Sequence, residues 1–303
     1  MNELRMDMSD GFRIHTIFAQ PLAEPVAHVH LLHGMAEHIG RYKEFINYLV
    51  GQGYAVSGHD HRGHGQTASL NGKLGHFGDS VGFERTVEDA YEVVNYYKDK
   101  FAAPTFILLG HSMGSFIARR YVQRYGGEVD RLICSGTAGD PRFGRIAGKA
   151  LAQLKGRATH FDLPDHFINK LVFGSFSKSV KSAKTPFDWL SADNSTVETY
   201  INDPLCGLVP TTGFFIDLFE GLKKIHNTEE IGNIPKTLPI LLLSGLDDPV
   251  GDKGKGVWKV AQQYAHNGIE NVTVMLYDEG RHEMLQELNR DRVFNFIKDW
   301  IEK

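Results

Sequence analysis

The chain has 303 residues, of which 42% are hydrophobic and 23% are charged, and its formal net charge at pH 7 is −4. This length suffices for a large α/β domain with a substantial core. Nucleic acid is excluded as an expected partner, because a chain without a basic excess cannot neutralise a phosphate backbone.

The chain contains two cysteines, Cys134 and Cys206. A secreted protein held together by disulfides would normally carry more, and Cys134 lies in an apolar run typical of a buried strand. The N-terminal residues lack the apolar core of a signal peptide, and no apolar run approaches the roughly 18 residues of a spanning helix. We therefore predict free thiols and a cytoplasmic location, and leave peripheral contact with membrane lipid open.

Short apolar runs alternate with longer helical patterns along the chain. The runs predicted as strands are residues 12–18, 26–32, 53–57, 105–109, 132–134, 238–243 and 272–276. Between the third and fourth of them, residues 83–101 place apolar side chains at helical spacing. This alternation predicts an α/β fold with a mostly parallel, doubly wound sheet, and we expect the first two strands to form an antiparallel hairpin at one edge.

The alternation stops between residues 139 and 235. This segment contains helical pieces rich in large apolar residues, such as 167–173 and 214–222, and no convincing buried strand. A structureless loop of that length is uncommon in a compact domain. We therefore predict a helical cap at 139–235, inserted into a sheet domain formed by residues 1–138 and 236–303.

A Gly-x-Ser-x-Gly motif, Gly110-His111-Ser112-Met113-Gly114, follows the predicted strand 105–109 and precedes a helical pattern at 115–125. A nucleophile elbow requires this strand–turn–helix setting, because its sharp turn exposes the serine and leaves no space for side chains at the two glycines. The alternative is an ordinary Gly-Ser turn in which the serine caps the helix. The setting favours Ser112 as a nucleophile.

A serine nucleophile needs a base to take its proton. In α/β folds that carry the serine on such a strand–turn–helix, an acid and then a histidine follow it along the chain. Asp247 and Asp248 come just after the predicted strand 238–243, and His282 comes after the strand 272–276. The carboxyl ends of parallel strands share one edge of a sheet, so these side chains should lie together. Position in the turn favours Asp248 as the acid, with Asp247 as the alternative.

The loop His33-Gly34-Met35 follows the predicted strand 26–32. This is where an oxyanion-hole loop lies in such folds. We expect the backbone N–H groups of Met35 and Met113 to face the developing oxyanion, and His33 to hold the loop in place.

Taken together, these motifs resemble the monoacylglycerol lipase and lysophospholipase branch of the α/β-hydrolases, of the serine aminopeptidase S33 or hydrolase-4 type. The motifs that carry the resemblance are His33-Gly34-Met35-Ala36-Glu37-His38, Asp60-His61-Arg62-Gly63-His64-Gly65, Gly110-His111-Ser112-Met113-Gly114 and Gly280-Arg281-His282-Glu283-Met284-Leu285. The resemblance runs nearly end to end. It implies an α/β-hydrolase fold with a cap, hydrolysis of a small monoacyl lipid ester, and no cofactor or metal. It leaves open whether the substrate is a monoacylglycerol or a lysophospholipid, and it does not determine the oligomeric state.

The large apolar side chains of the cap are candidates for an acyl site, and we select Phe173, Phe214 and Phe215 as substrate-binding residues. The alternative is that these side chains pack the cap against the core. An apolar cap rim could also contact membrane lipid.

Other interpretations stay open at this point. The run His59-Asp60-His61-Arg62-Gly63-His64 nearly matches the H-x-H-x-D-H ligand run of metal-dependent hydrolases, with Gly63 in place of the aspartate. A short-chain carboxylesterase of the same fold is a second alternative. A third is a non-catalytic α/β-hydrolase protein that binds a ligand or a partner.

Overall fold

The computed structural model describes residues 1–78 and 82–303. Its strands are β1 (Asn2–Asp7), β2 (Arg13–Ala19), β3 (His28–Leu32), β4 (Ala55–His59), β5 (Phe106–His111), β6 (Arg131–Ser135), β7 (Ile240–Gly245) and β8 (Val272–Tyr277). They form one sheet in the order β1-β2-β4-β3-β5-β6-β7-β8. Strands β3 to β8 run parallel, and β1 and β2 are antiparallel to their neighbours. The predicted mostly parallel α/β sheet is confirmed.

The helices are α1 (Lys43–Gly51), α2 (Gly65–Asn71), α3 (Gly82–Phe101), α4 (Met113–Tyr125), α5 (Arg142–Ala158), α6 (His166–Phe173), α7 (Asn194–Asn202), α8 (Thr212–Ile225), α9 (Thr228–Gly232), α10 (Lys255–His266) and α11 (Arg290–Ile301). Helices α1 and α11 cover one face of the sheet, and α3, α4 and α10 cover the other. Among the described residues, no helix is long and apolar enough to cross a membrane.

Side chains of the central strand β5 show why the sheet is covered on both faces. Ile107 and Leu109 pack in the core beneath α1 and α11, whereas Phe106 and Leu108 pack in the core beneath α3 and α4. Successive side chains of a strand point to opposite faces, so a continuous apolar run needs a helical layer on each side. The strand order reverses between β3 and β5, which opens a crevice at the carboxyl ends of these two strands.

The predicted hairpin between the first two strands is wrong. Strand β2 pairs with β1 and with β4, whereas β3 lies inside the sheet between β4 and β5. Strand β1 escaped prediction because its sequence, Asn-Glu-Leu-Arg-Met-Asp, alternates polar with half-buried residues at an exposed edge. Strand β2 pairs locally with β1, whereas its other partner, β4, lies about 40 residues away in sequence.

The predicted cap segment, residues 139–235, runs from the end of β6 towards β7 and contains α5 to α9. It contributes no strand to the sheet; one isolated bridge joins Pro164 to Thr211. Its helix α8 packs on α3 and α4, and α5 packs on α8. The segment is therefore anchored to the core through α8, and we keep its exact boundaries as a proposal.

Candidate active site

Ser112 occupies the turn between β5 and α4. Its backbone has φ 51° and ψ −119°, in a region that residues other than glycine rarely adopt and that costs on the order of 1–3 kcal/mol. Its N–H donates to the carbonyl of Ser135 at 2.8 Å, and its own carbonyl accepts from the N–H of Ser115 at 2.8 Å. These bonds to β6 and α4 hold the strained turn that the motif predicts.

The two glycines of the motif are required by space. A Cβ at Gly110 would lie 2.2 Å from the carbonyl oxygen of Gly114, and one at Gly114 would lie 2.1 Å from that of Leu32. These distances are too short for any Cβ atom, so only glycine fits at either position. The backbone of the turn therefore packs directly against its own backbone and against that of β3. The serine is thereby fixed at the crevice between β3 and β5.

Asp248 and His282 meet at the carboxyl ends of β7 and β8. The Nδ1 atom of His282 lies 3.0 Å from Oδ1 of Asp248, and both side chains are buried. Asp248 Oδ1 also accepts from the N–H of Val250, and its Oδ2 accepts from the hydroxyl of Ser244. The alternative carboxylate, Asp247, is exposed to solvent. The structure therefore brings Asp248, and not Asp247, to the histidine.

Burial and pairing act in opposite directions on this pair. Burial alone would lower the pKa of His282, but the charge and hydrogen bond of Asp248 outweigh it and raise that pKa above its usual value. Burial alone would raise the pKa of Asp248, but His282 and the hydrogen bonds of Val250 and Ser244 hold that pKa below its usual value. The carboxylate is thus ionised at neutral pH, and it supports a positive charge on the imidazole.

His282 lies beside the turn that carries Ser112. Its ring centroid is 4.7 Å from that of His111, the residue before the serine. Gly136, directly after β6, contacts both rings: a Cβ there would lie 2.9 Å from Cε1 of His282 and 3.1 Å from Cε1 of His111. The loops after β5, β6 and β8 therefore converge on one point.

The loop after β3 approaches the same point. A Cβ at Gly34 would lie 3.2 Å from Cβ of Ser112, so this loop runs directly past the serine. Met35 follows Gly34 and is half-buried, and Met113 begins helix α4. Backbone N–H groups in the first turn of a helix have no intrahelical partner. The two residues predicted to provide oxyanion donors therefore flank Ser112.

The structure adds an ionic link that sequence reasoning missed. Arg41 binds Glu37, in the loop after β3, and Glu283, the neighbour of His282. Glu37 also accepts from the N–H of Gly34 and from the hydroxyl of Tyr42. Glu37 lies in the motif at residues 33–38, and Glu283 lies in the motif at residues 280–285. A charged residue inside each motif was therefore the sequence signal that could have indicated an ion pair.

A second missed residue is Trp189 of the cap. Its ring centroid lies 5.0 Å from that of His282, and its carbonyl accepts from the N–H of His282 at 3.4 Å. Phe173 and Phe176 pack against the same indole, with centroids at 6.5 Å and 5.1 Å. The predicted substrate-binding residue Phe173 is thus connected to the histidine through Trp189.

Phe214 and Phe215 have a different environment. Both are fully buried in α8 and belong to the core beneath α3 and α4. The ring of Phe214 stacks on Phe77 with centroids 4.2 Å apart and lies 5.8 Å from His64. Their placement corresponds to the packing alternative, in which α8 anchors the cap.

The three histidines of the run at 59–64 are buried in the protein interior. His59 bonds to His30, Nε2 of His61 lies 3.1 Å from the carbonyl of His33, and His64 bonds to the carbonyl of Arg62. These are contacts within the protein, and each holds one ring in the packed interior behind the serine turn.

Comparison with known proteins finds a matching family model and similar relatives. The family model "Serine aminopeptidase, S33" matches residues 23–289. The chain is 29% identical to the monoglyceride lipase of Homo sapiens over 97% of this chain and 88% of that protein. It is 28% identical to the monoacylglycerol lipase of Mycolicibacterium smegmatis over 96% of this chain and 93% of that protein.

A solved structure is similar over nearly its whole length. The thermostable carboxyl esterase of Bacillus coagulans, in complex with glycerol, superposes with a TM-score of 0.92 at 28% identity, covering 99% of this chain and 97% of that one. These similarities confirm the resemblance stated from the motifs and the predicted class, a serine ester hydrolase. The chain belongs to the serine aminopeptidase S33 family of α/β-hydrolases.

Proposed function

We propose that this protein hydrolyses a monoacyl lipid ester, with monoacylglycerol as the preferred substrate, through an acyl-enzyme on Ser112. The observation that carries the proposal is the buried pair of Asp248 and His282 beside the strained turn of Ser112. The choice of monoacylglycerol follows the lipases of Homo sapiens and Mycolicibacterium smegmatis, which match nearly the whole chain.

In the first step, Ser112 Oγ attacks the ester carbonyl and His282 takes the hydroxyl proton. Asp248 holds Nδ1 of the imidazole, which leaves Nε2 as the atom that accepts the proton, and it stabilises the imidazolium that forms. The N–H groups of Met35 and Met113 stabilise the oxyanion, each contributing about 3 kcal/mol to the lowering of the barrier.

His282 then gives its proton to the departing glycerol oxygen, and the acyl group stays on Ser112. A water molecule, deprotonated by His282, attacks the acyl-enzyme and releases the fatty acid. The same base therefore serves both halves of the reaction, and Asp248, whose charge and hydrogen bond raise the pKa of His282, stabilises the imidazolium between the two proton transfers.

We further propose that Phe173, Phe176 and Trp189 line the acyl site. They form an aromatic group that touches His282 at one end and includes half-buried rings at the other. Burial of an acyl chain in such surroundings contributes about 0.8 kcal/mol of binding free energy per methylene group. Long-chain esters should gain most from this group.

The cap also presents apolar side chains to solvent, and we propose that it contacts a lipid surface. Phe143 on α5 is 87% exposed, and Phe167 and Leu171 on α6 are 58% and 59% exposed. Helix α5 contains five basic and no acidic residues. An apolar face beside basic side chains fits an anionic lipid interface. The cytoplasmic location stays a prediction.

Covalent labelling tests the nucleophile. We expect a fluorophosphonate probe to label the wild-type protein on the peptide that contains Ser112, and the Ser112→Ala variant to resist labelling and lose on the order of 10⁶-fold in kcat. The matched control is Ser69→Ala, which removes an exposed hydroxyl on α2 and should leave both properties unchanged. A folded wild-type protein that fails to react would instead support the non-catalytic alternative.

A substrate panel tests the ester class. We expect kcat/KM to rise with acyl length from butyryl to oleoyl monoacylglycerol, and to be lower for the lysophosphatidylcholine of the same acyl chain. Activity restricted to short acyl esters would favour the carboxylesterase alternative. A preference for the lysophospholipid would reassign the head group while keeping the mechanism.

A further inference from the structure

Three potential metal ligands lie together outside the site described above. His38, Asp203 and Cys206 each place one ligand atom within 4.8 Å of the others, and all three side chains are half-buried. His38 comes from the loop after β3, and the other two come from the cap between α7 and α8. We propose that these residues form a Zn²⁺ site that joins the cap to the loop carrying Met35.

The chemistry of the three donors fits zinc. Thiolate sulfur, imidazole nitrogen and carboxylate oxygen are the ligands that Zn²⁺ takes in proteins, and three of them leave a fourth position for water. The side chains of His38 and Asp203 are 16% and 26% exposed, so a hydrated ion can reach them. On binding, the S–H bond of Cys206 breaks, a sulfur–zinc bond forms and the proton goes to solvent, while the proton that Nε2 of His38 shares with Asp203 moves to Nδ1 so that Nε2 can bind the ion.

Local contacts hold the ligands in place before any ion binds. The N–H of Leu205 donates to Oδ1 of Asp203 at 2.8 Å, which leaves Oδ2 facing Nε2 of His38 at 2.9 Å. The ring of His38 lies against Gly40, where a Cβ would be 2.9 Å from Nδ1. The N–H of Cys206 donates to the carbonyl of Asp203 at 3.0 Å. The ligand set is therefore largely fixed by the fold.

The charges around the thiol also favour a cation. The groups that act on Cys206 are the guanidinium of Arg41 and the carboxylates of Glu37, Asp203 and Glu283. These carboxylates outnumber the guanidinium, so the fixed charges near the thiol carry a negative excess that attracts a cation. Arg41 is already bound by Glu37 and Glu283, so it is held in its own ion pairs.

The site bridges two segments that already touch. The carbonyl of Ala36 accepts from the N–H of Gly207 at 2.9 Å and from the hydroxyl of Tyr200 at 2.9 Å. An ion bound at His38, Asp203 and Cys206 adds a second link next to these bonds. Because the ligands come together only in the folded chain, zinc should stabilise the native state by RT ln(1 + c/Kd), where c is the concentration of free Zn²⁺.

Cobalt titration provides a test that does not depend on activity. We expect Co²⁺ to produce thiolate-to-cobalt charge transfer and the visible bands of a tetrahedral ion at one equivalent, and Zn²⁺ to abolish both by displacement. Cys206→Ser should remove the charge-transfer band and weaken binding by at least about 100-fold, and His38→Gln should weaken it similarly. The matched control is Cys134→Ala, since the second cysteine is buried in β6 and its removal should leave the spectrum unchanged.

Thermal unfolding provides the second measurement and checks that each variant folds. We expect Zn²⁺ to raise the unfolding midpoint of the wild-type protein and of Cys134→Ala, and to leave that of Cys206→Ser unchanged. The proposal is overturned if the folded wild-type protein gives no thiolate band, if Cys206→Ser retains wild-type affinity, or if Zn²⁺ fails to raise the midpoint.

Discussion

The guanidinium of Arg41 holds both carboxylate oxygens of Glu283, with Nη1 2.7 Å from Oε1 and Nη2 2.8 Å from Oε2. The same Nη1 lies 2.6 Å from Oε2 of Glu37. Glu37 fixes the N–H of Gly34 in the loop before Met35, and Glu283 directly follows the proposed base. One buried cation therefore sets the distance between the oxyanion loop and the loop of His282.

This link predicts a loss of catalytic rate on replacement of Arg41. Arg41→Lys keeps the charge but loses the paired geometry, so the two loops should shift and kcat should fall by about 10²-fold with little change in KM. Arg41→Met leaves the buried carboxylates of Glu37 and Glu283 without their counter-ion and should also lower the free energy of unfolding by about 3–5 kcal/mol. Steady-state kinetics and urea unfolding measure the two effects.

The matched control for this prediction is Arg290→Lys. Arg290 forms its ion pairs with Glu44 and Asp193 at the surface, where such pairs contribute little. Its replacement should leave kcat unchanged. A lysine at position 41 that retains wild-type kcat, or that raises KM alone, would contradict a positioning role.

The pKa of His282 predicts the pH dependence of hydrolysis. The reaction needs the neutral imidazole, and Asp248 raises the pKa of its conjugate acid above 6.5, so kcat/KM should rise with pH through a midpoint above 6.5. In Asp248→Asn the carboxylate charge is lost, so burial becomes the main influence on the pKa of His282 and lowers it. That midpoint should then move below 6.5, while kcat falls by about 10⁴-fold because the imidazole is no longer held in the right tautomer.

Asp247→Asn is the control for the pH profile, because it removes the same charge from an exposed neighbouring position. It should leave both kcat and the midpoint as in the wild-type protein. A midpoint that moves equally in both variants would show that the aspartate next to His282 does not set its protonation.

A connected group of buried histidines lies behind the serine turn. Nε2 of His28 and Nδ1 of His30 both lie 2.7 Å from Oγ of Ser57, and Nε2 of His30 lies 3.0 Å from Nδ1 of His59. Burial lowers the pKa of every member, to about 3 for His28. The members are His28, His30, His33, His59, His61 and His64. They are neutral in the folded protein at neutral pH.

This group predicts a steep loss of stability in mild acid. Above pH 6.5 the histidines are neutral in both states, but below it the unfolded chain binds protons that the folded protein cannot. Each histidine therefore destabilises the fold by up to about 1.4 kcal/mol per pH unit, down to its folded pKa. His15 and His282 have raised pKa values and are protonated in both states below 6.5, so they add no further change there.

Urea unfolding between pH 7 and pH 4.5 measures this slope. Replacing His59 with glutamine removes one histidine that titrates only in the unfolded chain. The slope of the free energy of unfolding against pH should therefore fall by the contribution of one proton, up to about 1.4 kcal/mol per pH unit. His160→Gln, which changes an exposed histidine of the cap, should leave the slope as it is. A free energy of unfolding that stays flat down to pH 5 would refute the prediction.

Sequence reasoning predicted that the three proposed catalytic residues would lie at one edge of the sheet, because active groups of parallel α/β sheets lie at the carboxyl ends of the strands. Ser112, Asp248 and His282 each follow an apolar strand, and parallel strands bring their carboxyl ends to one edge. The same reasoning could not identify Arg41, since its partner Glu283 lies 242 residues away and a charged residue in a sequence does not name its partner.

Apolar residues of the cap show the other limit of sequence reasoning. Phe173 and Phe214 both lie in amphipathic helical patterns, but Phe173 packs on Trp189 near His282 whereas Phe214 packs on Phe77 in the core. Helical periodicity tells which face of a helix is apolar and not what covers that face. The distinction between packing and substrate contact therefore required the tertiary structure.

The aromatic group of the cap predicts a change in acyl preference. Phe173→Ala and Trp189→Ala each remove a ring from the proposed acyl site, so kcat/KM for oleoyl monoacylglycerol should fall by about 10- to 100-fold. Butyryl esters, which have few methylene groups to bury against the ring, should be affected less by the Phe173→Ala variant. Phe143→Ala, at an exposed position on α5, is the control in a micelle-free assay, and an equal loss for both chain lengths in Phe173→Ala would argue against the acyl site.

The exposed face of α6 predicts binding to lipid vesicles. Phe167 and Leu171 are each more than half exposed and lie four residues apart, so they share one side of the helix. Burying them in the interface should contribute about 2 kcal/mol together, and the Phe167→Ser/Leu171→Ser variant should therefore bind about 30-fold more weakly. Cosedimentation with phosphatidylglycerol vesicles measures this, and binding should weaken with salt because α5 is basic. Trp258→Ser removes an exposed ring from α10 instead, and if it weakened binding as much as the double variant, the cap would not be the lipid-binding surface.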